Sequence, residues 1–306
     1  MASAKSITII SSPYHVGVKN VAVGAGPTTL IEAGLVTALE GEGFEVSVAE
    51  LEPVDEYEGE IGRLFELLRR TSKAVTQVID AGSFPLILSG NCSAAVGVAA
   101  GLAGSNEFLR QKMTPSCVWF DAHDDYNTPD VLASGYLDSM PVAMLEGVGW
   151  KTLLSTVPGF QPMNLKKSFV NVGMRDVTEL ERGRVIDAGF STIWGDTTRH
   201  VNFESELQKI LEEQQLGPTM VHVDLDCLDT SVGMVNKFSA PGGLLETDLV
   251  GCLETITRKT QPASLTIASY DPSFDKNGDI PPVAIRGIVA FVRSLISQGA
   301  LANNTT

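Results

Sequence analysis

Two stretches of the chain join an apolar, β-forming run to a group of side chains that can bind a metal ion. In residues 117–127, with the sequence CVWFDAHDDYN, these side chains are Asp121, His123, Asp124 and Asp125. Because successive side chains of an extended segment point to opposite sides, Asp121, His123 and Asp125 are predicted to share one side. Asp124 is predicted to point to the other side. Three ligands are too few to hold a divalent ion firmly, so the rest must come from elsewhere in the chain.

The second stretch, residues 220–229, has the sequence MVHVDLDCLD and again ends an apolar run in carboxylates. The same alternation places Asp224 and Asp226 on one face. If the two strand ends lie side by side, their carboxylates would have to take up protons unless a cation lay between them. Ligands rich in oxygen favour Mn²⁺ or a similar ion, and several carboxylates able to bridge favour two ions.

Strands and helices alternate around both stretches. Strands are predicted at residues 6–12, 44–51, 84–89, 118–121, 168–172, 220–226 and 263–271, with a short one ending at 193. Helices are predicted at 28–42, 61–81, 94–103, 203–214, 247–260 and 282–298, a charged loop at 52–60 and a frayed tail at 301–306. Strands that are apolar on both faces belong in a parallel sheet, whose chemistry gathers at the carboxyl ends of its strands. The predicted fold is a single α/β domain, residues 1–306, with three α/β/α layers and a mostly parallel, doubly wound sheet.

Composition narrows the classes of function. A chain of 306 residues with 43% hydrophobic content can bury one large core. The net charge of −15 argues against nucleic acid or an anionic membrane as a partner, because both attract clustered Lys and Arg. The four cysteines lie in or beside apparent core segments, which favours reduced thiols. With no run of eighteen apolar residues and no signal-peptide core, the protein is expected in the cytoplasm, acting on a small molecule.

Several motifs, in their order and spacing, resemble the ureohydrolase superfamily, which includes arginases, agmatinases and formimidoylglutamases. The main motifs are D-A-H-x-D, which begins at Asp121, and D-x-D-x-x-D, which begins at Asp224. They are accompanied by Gly26-Pro27 with AGL at residues 33–35, SGNCS at 89–93, VGMRD at 172–176 and PGGL at 241–244. The resemblance covers most of the chain. It implies an arginase-like fold, a homo-oligomer and two Mn²⁺ ions about a bridging hydroxide.

The resemblance also implies roles for individual residues. The first ion would be held by Cys92, Asp121, Asp125 and Asp224, and the second by His123, Asp121, Asp224 and Asp226. The hydroxide would attack a trigonal carbon that bears nitrogen, because two cations lower the pKa of the water they share. Asp226 would then pass a proton to the leaving amine.

The chain departs from the arginase pattern at its predicted metal ligands and proton relay. Cys92, preceded by Asn91, stands at the place of a His ligand. A softer thiolate there leaves Zn²⁺, Fe²⁺ or a single metal ion as alternatives, and Cys92 could also be only a small core residue. Asp138 replaces the His that relays protons. His15, in a glycine-rich loop, could take over that relay.

Two further departures concern the substrate. Thr178 replaces an Asp near the substrate's α-amino group, and Ser269 replaces the Glu that binds a guanidinium group. Removing the carboxylate partner of a buried cation is costly, so L-arginine is predicted to be a poor substrate. Asn127 and Ser134 match the loop that receives an α-carboxylate. The predicted substrate is therefore amino-acid-like, with a guanidino, N-hydroxyguanidino, formimidoyl, ureido or amide carbon.

Three functions remain open on the sequence alone. The leading hypothesis is a metal-dependent hydrolase of non-peptide C–N bonds. The second is an enzyme of specialised metabolism that uses the metal as a Lewis acid for another reaction, and the third is a non-catalytic homologue. Because buried carboxylates without a cation are costly, the presence of all the carboxylate ligands favours an enzyme. His222 either supports the site or packs in the core, and Arg175-Asp176 is predicted to form a salt bridge.

Overall fold

Eight parallel strands form the central sheet. The computed structural model describes residues 4, 6–55 and 58–302, so parts of the predicted loop at 52–60 and tail at 301–306 lie outside it. The strand order is β4-β1-β5-β10-β9-β6-β7-β8, and all neighbouring strands are parallel. The strands of this sheet are β1 (Ser6–Ser12), β4 (Glu45–Glu50), β5 (Phe84–Ser89), β6 (Ser116–Phe120), β7 (Phe169–Met174), β8 (Ser191–Trp194), β9 (Pro218–Asp224) and β10 (Gln261–Ala268). A small antiparallel hairpin is formed by β2 (Tyr14–His15) and β3 (Val18–Lys19).

Helices cover both faces of this sheet, which confirms the predicted three-layer α/β fold. They are α1 (Gly26–Glu32), α2 (Leu35–Glu40), α3 (Glu60–Asp80), α4 (Ala94–Gly104), α5 (Asn106–Gln111), α6 (Pro141–Glu146), α7 (Lys151–Leu154), α8 (Leu165–Ser168), α9 (Glu179–Ala188), α10 (Phe203–Glu213), α11 (Glu246–Lys259) and α12 (Ile280–Ser297). The prediction of one helix over residues 28–42 is wrong. Gly34 has a φ of +99°, in the left-handed region, and it separates α1 from α2. Helices α5 to α8 are too short for a periodic pattern to predict them.

The central strands are buried, apart from Gln261 at the start of β10. Every residue of β5, β6, β7 and β9 is buried, whereas the edge strand β4 is largely exposed. Two hydrophobic clusters pack against the sheet, one centred on α10, α11 and α12 and the other on α3 and α4. Because parallel strands end at the same edge, the residues that follow β5, β6, β9 and β10 meet there.

Helices α3 and α4 approach each other closely because α4 presents glycines to α3. A Cβ atom on Gly97 would lie 2.7 Å from the carbonyl oxygen of Leu68, and one on Gly101 would lie 2.5 Å from that of Ser72. A larger side chain at either position would push the helices apart. The packing therefore sets the position of the start of α4 at the carboxyl edge of the sheet.

Helix α12 has the length and mean hydropathy, 1.5, of a membrane span. Half of it is buried inside the protein, where Phe291 and Leu295 pack in the core. Its arginines make ion pairs on the surface, Arg286 with Glu246 and Arg293 with Glu42. Helix α12 therefore packs in one of the helical layers that cover the sheet.

Candidate metal centre

The ligand-bearing segments leave the sheet as turns, which corrects the predicted alternation. β6 ends at Phe120, and β9 ends at Asp224, where a 3₁₀ turn, Leu225–Cys227, begins. Asp125 has a φ of +44°, in the left-handed region. Asp124 and Asp125 both line one cavity, Asp124 is outside both ligand clusters of the described residues, and the predicted direction of its side chain stays a prediction.

The carboxylate at the start of each turn stabilises it. Asp121 Oδ1 accepts a hydrogen bond from the backbone N–H of His123 at 2.7 Å, and Asp224 Oδ1 accepts one from that of Asp226 at 2.9 Å. Aspartate side chains that bond the backbone two residues on compete with the strand ladder and end it. These turns bring the ligands together although the strands have already ended.

Two clusters of ligand atoms result. Cys92, Asp121 and Asp224 form one, and Asp121, His123 and Asp226 form the other, with the ligand atoms of each cluster within 4.8 Å of one another. Asp121 belongs to both clusters, as a bridging ligand would. Asp125 lines the same cavity but is outside both clusters of the described residues.

Burial and mutual repulsion act on these carboxyl groups. Burial and the charge of Asp226 raise the pKa of Asp121 to about 6. Burial and the neighbouring carboxylates raise the pKa of Asp125 and Asp224 well above its usual range. A divalent cation among these oxygens would offset the repulsion, so the donor set fits a metal ion.

The protonated form of His123 is stabilised by the carboxylates around it. Burial alone would lower its pKa, but the charge of Asp226 and hydrogen bonds with Asp121 and Asp176 raise it well above its usual value. His123 in turn lowers the pKa of Asp226 to about 2, against the effect of burial. Its Nδ1 lies 3.1 Å from Asp121 Oδ1 and 3.5 Å from Asp226 Oδ2, while Nε2 lies 3.5 Å from Asp176 Oδ2. Nδ1 is therefore the ring atom placed to bind a metal ion.

Two residues that the sequence reasoning missed orient the ligands. Trp119 Nε1 donates to Asp121 Oδ2 at 2.9 Å, and Asn236 Nδ2 donates to Asp226 Oδ2 at 3.2 Å. Trp119 shares a strand face with the ligand two residues later, which is a signal that the sequence carries. Asn236 reaches the site from a loop ten residues beyond Asp226, and no local pattern predicts it.

Arg175 is engaged differently from the prediction. Instead of pairing with Asp176, which faces His123, its guanidinium group donates to backbone carbonyl oxygens at 2.7–3.3 Å. The acceptors belong to Gly173, Asp226, Cys227, Leu228, Ala240 and Pro241. Arg175 thereby ties the turn after β9 to the loop at 240–241 and fixes the backbone of Asp226.

Cys92, a member of the first ligand cluster, is 1% exposed. Its Sγ lies 2.9 Å from Asp224 Oδ2, 3.1 Å from His222 Nε2 and 3.2 Å from Ser269 Oγ. Burial lowers the pKa of His222 to about 3, and its ring stacks on Trp119 with the centroids 3.8 Å apart. His222 was predicted either to support the site or to pack in the core. The structure shows it in contact with Cys92, a predicted ligand.

Asp138 and His15 are linked through Asn91. Asn91 Nδ2 lies 2.5 Å from Asp138 Oδ2 and 3.3 Å from His15 Nδ1. Asp138 also accepts from the backbone N–H groups of Cys92 and Ser93, at 3.3 and 3.0 Å, at the start of α4. His15 lies in the β2–β3 hairpin rather than in a loop. Asp138 lines the cavity, with His15 behind Asn91, and their catalytic roles stay predictions.

The four residues predicted to contact the substrate are not all at the cavity. Asn127 and Ser269 line it, whereas Ser134 and Thr178 are exposed outside it. Ser134 Oγ accepts from the backbone N–H two residues on, and Thr178 caps α9 in a capping box with Glu181. Substrate binding by these residues stays a prediction.

Glu181, another residue missed by the sequence reasoning, forms the outer end of the cavity. Its Oε1 accepts from Asn127 Nδ2 at 3.1 Å, and its Oε2 accepts from the backbone N–H of Thr178 at 2.8 Å. Burial would raise the pKa of Glu181, but these bonds and the charge of Arg184 lower it. Arg184 also donates to Asn127 Oδ1 at 2.6 Å, so both ends of the Asn127 amide are bonded within the protein.

Aromatic and apolar side chains form the rest of the wall. The cavity has a volume of about 120 Å³, and its lining includes Val23, Tyr136 and Phe238. The Phe238 ring centroid lies 5.8 Å from that of Tyr136 and 5.9 Å from that of His123. Lys237 Nζ lies 4.6 Å from the Phe238 ring centroid. A cavity of this size suits a small molecule rather than a polymer.

Comparison with known proteins gives a consistent family. The model of the arginase family matches residues 5–292. The arginase of Bacillus caldovelox is 26% identical over 310 residues, covering 96% of this chain and 99% of that protein. The solved structure of Entamoeba histolytica arginase in complex with L-ornithine matches with a TM-score of 0.81, 20% identity and coverage of 95% and 99%. Proclavaminate amidino hydrolase from Streptomyces clavuligerus matches with a TM-score of 0.68, 18% identity and coverage of 95% and 92%.

Proposed function

Because the chain belongs to the arginase family, we propose that it is a metal-dependent hydrolase that cleaves a non-peptide C–N bond in a small molecule. The observation that carries the proposal is the pair of ligand clusters that share Asp121. Asp224 and Asp226 from these clusters line a cavity of small-molecule size. The relatives that match most of the chain are hydrolases of this kind of bond, which supports the reaction class.

We propose that the centre holds two divalent cations and that Mn²⁺ is one ion it accepts. Cys92, Asp121 and Asp224 would hold one ion, and Asp121, His123 and Asp226 the other. When bound, such a pair supplies Lewis acidity and lowers the pKa of a water molecule that it shares. Whether the cluster with Cys92 holds Mn²⁺, Zn²⁺ or Fe²⁺ depends on the softness of its sulfur ligand.

Asp226 is the residue placed to move a proton to the leaving nitrogen. Its Oδ2 faces the cavity between His123 Nδ1 and Asn236 Nδ2, at 3.5 and 3.2 Å. His123 and Asn236 stabilise the ionised form, so Asp226 can accept a proton and release it again. We propose that Asp138, backed by Asn91 and His15, assists from the opposite wall.

We propose a substrate that is compact, uncharged or weakly basic at the reacting carbon, and amino-bearing at its other end. Ser269 Oγ offers a hydroxyl near the ligands, where a guanidinium group would require a carboxylate. At the outer end, Glu181 and the buried Asp124 present negative charge suited to an ammonium group. Tyr136 and Phe238 would pack on the chain between the two ends.

The test combines metal analysis with a substrate panel. Protein purified without chelator is expected to contain two metal equivalents per chain. Candidate amino acids that carry guanidino, N-hydroxyguanidino, ureido and formimidoyl groups, with L-arginine among them, are then assayed for released urea, hydroxyurea or ammonia. Asp226→Asn is expected to lose at least 100-fold in turnover of the accepted substrate, because it removes both a proposed metal ligand and the proposed proton donor. The exposed Asp130→Asn serves as the control.

Two outcomes would contradict the proposal. A protein with no bound metal under any loading condition would remove the hydrolytic mechanism. Full metal loading with no product from any C–N substrate would favour the Lewis-acid or non-catalytic alternative. If one equivalent binds in the wild type and two bind in Cys92→His, only the dinuclear form of the mechanism is refuted.

A further inference from the structure

Two side chains from outside the ligand set, each able to donate a hydrogen bond, contact the sulfur of Cys92. His222 Nε2 lies 3.1 Å from Sγ, and Ser269 Oγ lies 3.2 Å from it. His222 belongs to β9, and Ser269 follows β10, the strand between β9 and β5. Cys92 Sγ is therefore contacted by one polar side chain from β9 and one from the residue after β10. A small apolar core residue would need neither.

The environment of His222 indicates which of its nitrogens carries the proton. Its Nδ1 is buried and has no hydrogen-bond partner in the described structure. A neutral imidazole has one N–H, and a buried N–H without an acceptor is the costlier of the two arrangements. The proton is therefore placed on Nε2, which faces Cys92 Sγ. Trp119, stacked on the ring at an interplanar angle of 18°, fixes this orientation.

Ser269 is held in a backbone conformation that few residues adopt. Its φ is +65°, in the left-handed region, where a residue other than glycine is disfavoured. Asn236 Nδ2 donates to the Ser269 carbonyl oxygen at 2.9 Å and fixes the segment. The result is a hydroxyl group 3.2 Å from Sγ. Its hydrogen can rotate toward a negative sulfur.

We propose that His222 and Ser269 position Cys92 as a thiolate ligand of the metal centre, so that this position prefers a thiophilic cation such as Co²⁺ or Zn²⁺ over Mn²⁺. A thiolate gains from two N–H or O–H donors, and groups that support a ligand in this way raise metal affinity. Cys92 Sγ donates to Asp224 Oδ2 at 2.9 Å in the metal-free chain, and it would give up this proton to solvent on binding such a cation. The inference rests on the metal centre of the proposed function and not on its reaction.

The test is spectroscopic and needs no turnover. The complete chain is loaded with Co²⁺ without oxygen, and bound cobalt is counted by elemental analysis. A sulfur-to-cobalt charge-transfer band in the near ultraviolet is expected in the wild type. Cys92→Ser is expected to lose the band and to narrow the preference for Co²⁺ over Mn²⁺. Cys252 is a buried thiol in α11, outside the site. The control variant Cys252→Ser is expected to keep both the band and the preference for Co²⁺.

Variants of the two positioning residues test the donors separately. His222→Phe preserves a ring to stack on Trp119, and Ser269→Gly removes the hydroxyl while suiting the left-handed backbone. Each is expected to weaken Co²⁺ binding at the sulfur by about 10- to 100-fold and to shift the band. If both variants keep the wild-type band and affinity, the positioning role is refuted. If His222→Phe does not fold, Ser269→Gly is the test: wild-type Co²⁺ affinity and an unchanged band in this variant refute the positioning role.

The outcomes for this inference and for the proposed function can be told apart. Hydrolysis of a panel substrate without a cobalt–sulfur band refutes thiolate ligation but leaves the hydrolase standing. A band without any hydrolysis supports the ligand assignment and contradicts the reaction. A chain that binds no cobalt at all refutes both.

Discussion

The indole of Trp119 should control metal affinity through one hydrogen bond. Trp119→Phe keeps an aromatic ring against His222 but removes the Nε1–H that donates to Asp121 Oδ2 at 2.9 Å. A hydrogen bond to a charged, buried group contributes about 1.5–3 kcal/mol. Asp121 belongs to both ligand clusters and is 1% exposed, so no water molecule can replace the lost donor without rearrangement. We expect the variant to bind the same metal about 10- to 100-fold more weakly.

In the assay, the protein competes for the metal ion with a chelator of known affinity. The quantity measured is the free metal concentration at which half of the protein is loaded. The loss of indole volume lowers the stability of the metal-free and the metal-bound protein alike. The effect of packing therefore largely cancels in the measured metal affinity. Trp150→Phe is the matched control, because Trp150 Nε1 is buried without a hydrogen-bond partner and its ring packs on Phe65. Equal affinities in the wild type and Trp119→Phe would refute the reasoning.

Three further predictions concern the free energy of unfolding, measured by urea denaturation of the metal-free protein. Burial raises the pKa of Asp124 from 3.8 to about 6. The folded state therefore disfavours the ionised form, and the wild type should lose up to about 3 kcal/mol between pH 4 and pH 7 through this group. Asp124→Asn should lose less stability than the wild type over that pH range. The control variant Asp130→Asn, at an exposed residue, should lose as much as the wild type. Arg175→Met should cost at least about 3 kcal/mol, because several buried carbonyl groups lose their donor. The matched variant Arg182→Met, at an exposed residue whose guanidinium lies over Trp194, should change stability by about 1 kcal/mol or less. Asp138→Asn should cost about 1–3 kcal/mol through weaker hydrogen bonds to the start of α4, and unchanged stability would show that the carboxylate does not cap it.

The sequence predicted which candidate ligands lie together better than it predicted the backbone that carries them. The residue types and the period-two spacing of Asp121, His123, Asp224 and Asp226 were sufficient to suggest a common point. The structure brings these residues together through turns made by Asp121 and Asp224 themselves, a local effect that alternation ignores.

The cavity walls were less predictable because they come from segments that are distant in sequence. Asn236 and Phe238 reach the site from a loop and Glu181 from the first turn of α9, and both placements depend on tertiary packing. The central strands were predicted because continuous apolar runs are typical of buried parallel strands. Helices α5 to α8 have only four to six residues each, which is less than two full turns and leaves no periodic signal.

The close contact between α3 and α4 makes the metal centre mechanically dependent on a distant interface. Gly101 lies seven residues after Ala94, about 10 Å along the axis of α4, and its Cα faces the backbone of α3. A methyl group added there has no free volume to enter, so the whole helix must shift as a rigid rod. Cys92, just before the start of α4, would move with it. Substitutions in this packed interface would therefore displace Cys92 without altering any residue of the two ligand clusters.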